Sequence, residues 1–112
     1  MASPLNTFRT ITAEATTVSG TIYTAPSGVT SIILMAHAAN VTTNIADVTF
    51  SHFNANTSTQ TELVKDYSIP GNDAASLITG KLVIETGNSV TVVASANSSI
   101  KMTLSVLESL NA

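Results

Sequence analysis

The chain has 112 residues, 44% hydrophobic but only 4% aromatic and 10% charged, with a formal net charge of −3 and no cysteine. Its basic residues, Arg9, Lys65, Lys81 and Lys101, are too few and too scattered to neutralise a run of phosphates or an anionic membrane surface, and no aromatic set stands beside them for base stacking. Without cysteine, disulfides and thiolate metal sites are excluded, and the length suits one domain.

Residues 1–9 show no clear period and are expected to form an N-terminal arm ahead of a single domain over residues 10–112. They have neither a basic start nor a long apolar core, so they do not resemble a secretory signal, and synthesis in a cytoplasm is expected. From Thr10, the alternation of Ile11, Ala13 and Ala15 with Thr12, Glu14 and Thr16 predicts a strand. Ser19-Gly20 is a hairpin-type dipeptide, and Ile22 to Thr24 resume as a short strand. Pro26 and Gly28 then mark a turn, with Gly28 free to take a positive φ.

Residues 30–40 predict a strand apolar on both faces, Ile32, Leu34, Ala36 and Ala38 on one and Ile33, Met35, His37 and Ala39 on the other. Such a strand is covered twice, by its own core and by a loop, an arm or another subunit. The run is too short to span a bilayer. Residues 46–53 and 60–69 alternate again, separated by a polar tip over residues 54–59. Pro70-Gly71 ends the second of these, and residues 73–78 are short enough for one helical turn. Leu82 to Glu85 follow, then Val90, Val92 and Ala94, and finally Ile100, Met102, Leu104 and Val106 on every second position. About eight to ten short strands with frequent turn signals and no helical period predict an all-β fold, a single antiparallel β-sandwich with jelly-roll or Greek-key connections.

Candidate chemistry is sparse. His37 and His52 with Asp47 or Asp66 have no metal-ligand spacing, and strand histidines with one hydrogen bond each are the simpler reading. The acidic residues are isolated, no Gly-x-Ser-x-Gly elbow or Gly-rich phosphate loop occurs, and there is no tryptophan to stack on sugar. No enzyme activity, cofactor or metal is therefore expected. Asn40, Asn56 and Asn97 begin glycosylation-type triplets, which chance accounts for in so hydroxyl-rich a chain. Charged content is well below the usual level of about 25%, and Ser, Thr and Asn fill the gap. A surface so poorly defended by charge suits one that is covered by copies or partners.

Three segments carry a family resemblance. They are Tyr23-Thr24-Ala25-Pro26-Ser27-Gly28 leading into Ile32-Ile33-Leu34, then Tyr67-Ser68-Ile69-Pro70 followed by Leu77, then Leu82-Val83-Ile84-Glu85-Thr86-Gly87-Asn88-Ser89-Val90. With the ending Leu104-Ser105-Val106-Leu107-Glu108, they resemble small virion structural proteins of tailed bacteriophages, over residues 21–110. The shared motifs are turn chemistry and core pattern, and Asn88 stands where the family pattern has Asp. The resemblance implies a non-enzymatic building block located in the virion. Its expected job is a capsid decoration (cement) protein, a homo-oligomer with a trimer favoured, bound to the major capsid protein and to neither nucleic acid nor membrane. A tail, neck or fibre-attachment part is the alternative, and a glycan-binding sandwich using residues 54–59 or 70–76 is a further one. Candidate subunit contacts are Leu5, Phe8 and Arg9 of the arm, and Ile33, Met35 and His37 of the doubly apolar strand.

Overall fold

The computed structural model describes residues 6–110. Nine strands follow in order, with no helix among the described residues: β1 (Asn6–Glu14), β2 (Gly20–Thr24), β3 (Val29–Asn40), β4 (Ala46–Asn54), β5 (Thr59–Ile69), β6 (Ala74–Ser76), β7 (Leu82–Ile84), β8 (Ser89–Ala94) and β9 (Ile100–Leu110). One sheet has the order β1-β9-β3-β6, with β7 on the same side of β3 as β6, and the other has the order β2-β8-β4-β5. Only β4 and β5 form a hairpin between consecutive strands; nearly every other connection crosses from one sheet to the other. That is the wiring of a jelly-roll sandwich.

The period-two patterns fill the space between the sheets. Ile100, Met102, Leu104 and Val106 of β9 and Ile33, Ala36 and Ala38 of β3 come from one sheet. Val48 and Phe50 of β4 and Val90 and Val92 of β8 face them from the other, and all are buried. Hence the alternation of β8 and β9 survives intact in the structure: each inward side chain lies beside an inward neighbour on the next strand.

Three expectations are corrected. Ser19-Gly20 is not a hairpin, because β1 pairs with β9 and β2 with β8; the chain changes sheets there. Residues 74–76 form the short strand β6 against Ala39, Ala38 and His37 instead of a helical turn. Asn6–Arg9, expected within an arm, continue β1 in unbroken register opposite Ser109, Glu108, Leu107 and Val106. Residues 1–5 of that arm, Leu5 among them, lie outside the described residues.

A polar link spans the two sheets at the start of β1. Arg9 Nη1 donates to Glu108 Oε2 at 3.2 Å, and Tyr23 Oη, from the opposite sheet, donates to the same oxygen at 2.5 Å. Ser31 Oγ lies 2.6 Å from the Tyr23 oxygen and completes the chain. Burial, reinforced by the hydrogen bond to Glu108, pushes the Tyr23 hydroxyl up to about 12 from 10.0. A raised phenol keeps its full contribution below the unfolded value and loses it as pH climbs through the interval between the two. Stability is therefore expected to fall by about 2–3 kcal/mol between pH 10 and 12. Urea midpoints across that range for the native chain and Tyr23→Phe check this. The variant is expected to be less stable at neutral pH by about 1–3 kcal/mol, and the gap is expected to narrow as the solution becomes alkaline.

Candidate interaction surface

The register defines what the outside of the β1-β9-β3 sheet presents. Phe8 is opposite Leu107, Leu107 opposite Ile32, and Ile32 opposite Val83. Opposite residues in a ladder share a face, and these lie on the face away from the core, since their neighbours Val106, Ile33 and Ile84 are buried. One apolar row thus crosses four strands on the outside of the molecule. Phe8 is 74% and Val83 53% exposed, and Ile32 and Leu107 are half-buried.

Beside the row, β3 is bulged. The pairing of β3 with β9 shifts between Ile33 and Met35, so Leu34 has no directly opposite partner. Leu34 and Met35 are 37% and 38% exposed, and Ala36 turns back into the core. A bulge of one residue reverses which parity faces inward. Before it the inward residues are Ser31 and Ile33, and after it Ala36, Ala38 and Asn40. The expectation that Ile33 and Met35 share an outer contact face is corrected: Ile33 has no exposed surface and belongs to the core. Arg9 is also turned to the inner side, opposite Val106, and bound to Glu108. Phe8, Met35 and His37 do share the outer face, with His37 half-buried beside Thr103 and Ser76. Leu107, Ile32, Leu34 and Val83 join them there. The two-sided hydrophobicity of β3 was the available signal for Ile32 and Leu34.

The rest of the surface offers little chemistry. An apolar cleft of about 290 Å³ opens between β5 and the β6–β7 segment, lined by Leu63, Val64, Leu77, Ile78 and Leu82, with Lys81 its one ionisable residue. Among the described residues no three His, Asp or Glu side chains come together as a metal site. Asp47 accepts from Ser68 Oγ at 2.6 Å, and Asp66 Oδ1 from Thr49 Oγ1 at 3.5 Å, so both acids serve the β4–β5 ladder. Of the two loops considered for glycan, residues 54–57 are closed by Asn54 Oδ1, which accepts from the Asn56 and Thr57 N–H groups. The Asn72 N–H in the other donates to Thr42 O.

No protein-family model matches the sequence, and no curated protein does. A solved structure shares the fold. A chain from Bacillus endospore appendages, described as a family of disulfide-linked pili, superposes with a TM-score of 0.54 at 13% identity, over 96% of this chain and 88% of that one. A chain of infectious bursal disease virus, Gt strain, gives 0.45 at 11% identity, and the VP2 subviral particle of that virus gives 0.47 at 12%. This chain covers 95% and 96% of itself in those two matches but only 33% and 38% of the viral chains.

Proposed function

We propose that this protein is a non-enzymatic structural subunit of a virion, one whose outer sheet face is covered in the assembly. The observation that carries the reading is the row Phe8–Leu107–Ile32–Val83, flanked by Leu34 and Met35, on a sheet whose centre bears no charge. Contiguous apolar surface on a small soluble domain marks an interaction site, and low charge leaves nothing to keep copies apart. The sequence resemblance points to a tailed-phage virion as the particle and to capsid decoration as the job, through contact with the major capsid protein after synthesis in the host cytoplasm. No helix that could form a coiled-coil stem occurs among the described residues, which favours the head over the tail.

A fibre or tail component is the second reading, favoured by the likeness to a pilus chain over most of both lengths. With no cysteine in the sequence, any such fibre would hold together without disulfides.

The test is co-sedimentation with purified capsids, alongside Val83→Glu. Val83 is outward and exposed, so the substitution is expected to leave the unfolding free energy from urea titration within about 0.5 kcal/mol of the native value. It is expected to weaken capsid binding at least about tenfold, the equivalent of one poorly desolvated charge. A native chain that binds neither capsids nor tails and never self-associates contradicts the proposal.

A further inference from the structure

The sandwich has four open strand edges, and three are blunted. β5 carries two register shifts against β4, one between Val48 and Phe50 and one between Phe50 and Ser51. β2 has only 5 residues and a shift between Thr21 and Tyr23. The β6/β7 edge is split into two pieces of 3 residues each. Short strands and bulges are the usual protection against edge-to-edge pairing. β1 has none of these: 9 residues, no register shift, no proline, and, among the described residues, no strand neighbour other than β9. Its inward charge, Arg9, is already engaged by Glu108, and Glu14 is engaged by Lys101 at 3.0 Å.

We propose that the free edge of β1 is a self-association edge, on which a second copy pairs its own β1 antiparallel about a twofold axis through Thr10. The inference rests on the reading that the protein assembles, and it assigns the contact. Sheet faces must match across the junction, so only registers centred on a residue are allowed. Centring on Thr10 is the one choice that pairs the whole strand. It sets Asn6 against Glu14, Thr7 against Ala13, Phe8 against Thr12, Arg9 against Ile11, and Thr10 against itself. No like charges meet, and a Thr–Thr pair sits on the axis, a favourable cross-strand combination. Centring one residue earlier would place Arg9 against Arg9. The chosen register joins the two β1-β9-β3 sheets into one, with both apolar rows on the same outer face.

The full-length chain provides the test because it has no cysteine of its own. In Thr10→Cys, opposite Cβ atoms would lie close to disulfide distance. Mild oxidation is expected to link it into dimers at least about tenfold faster than Asn56→Cys, placed in the exposed β4–β5 loop. Thr10→Lys, which sets two cations on the axis at an exposed position, is expected to halve the mass seen by sedimentation while leaving the fold intact. If the native chain assembles, yet Thr10→Cys links no faster than Asn56→Cys and Thr10→Lys keeps its mass, the edge assignment is wrong and the structural role stands. A native mass of three subunits also overturns the twofold edge. A native chain that stays single and binds no particle overturns both.

Discussion

Asn40→Ala is expected to cost about 3–4 kcal/mol, a large part of the roughly 5–15 kcal/mol that holds such a domain together. Asn40 is the last residue of β3, and its side chain is buried. Its Nδ2 group donates to Asn44 O at 2.7 Å and to Ile69 O at 2.9 Å. Its Oδ1 accepts from the Thr42 backbone N–H at 3.0 Å and from Thr42 Oγ1 at 2.8 Å. One amide therefore closes the β3–β4 turn and ties it to the end of β5. Alanine removes the buried bond to Ile69 O and the part-buried bonds to Asn44 O and the Thr42 N–H, and a loss in a buried setting costs about 1–3 kcal/mol. Asn40→Asp keeps the shape but turns the donor into an acceptor facing two carbonyl oxygens, so it is expected to be nearly as harmful at neutral pH. Urea unfolding of the three chains checks this. Equal midpoints for all three would show that the turn holds without the amide.

Gly71→Ala is expected to be comparably damaging, by about 2–4 kcal/mol. A Cβ on residue 71 would stand 2.4 Å from Thr43 O and 2.5 Å from Thr43 C. These are backbone atoms of a turn already pinned by Asn40, so they cannot swing aside as a side-chain tip would. The Asn72 N–H donates to Thr42 O at 2.9 Å, and the Asn40 N–H to Asp73 O at 2.8 Å, so moving one turn breaks bonds to the other. Because both substitutions loosen the same pair of turns, the double variant is expected to lose less stability than the sum of the single losses. Additive losses would show that the two turns are independent.

That corner also shows what was legible in the sequence. Pro70-Gly71 announces a turn, but nothing local shows that Gly71 is needed for a close approach to Thr43, more than twenty residues away. Asn40 likewise reads as part of a glycosylation-type triplet, and its role depends on Ile69 arriving beside it. The β4, β8 and β9 patterns were readable because each strand keeps one parity inward along its apolar stretch. In β3 the bulge at Leu34 breaks that rule, so an alternation carried through from Ile32 misplaces Ile33 while keeping Met35 and His37 outside. The β1 edge was hidden for a different reason: Asn6–Arg9 have no apolar period of their own and are strand only because β9 offers a partner. The candidate surface was therefore half visible, as an apolar second face of β3, while Leu107 and Val83 enter it only through register.

The central claim is that this outer face and edge exist to be covered. Light scattering on the full chain, from micromolar to millimolar concentration, reads it most directly. A weight-average mass that rises well above one subunit with concentration, and falls back in Thr10→Lys, is the expected result. A mass fixed at one subunit over the whole range, with no binding to capsids or tails, would contradict it.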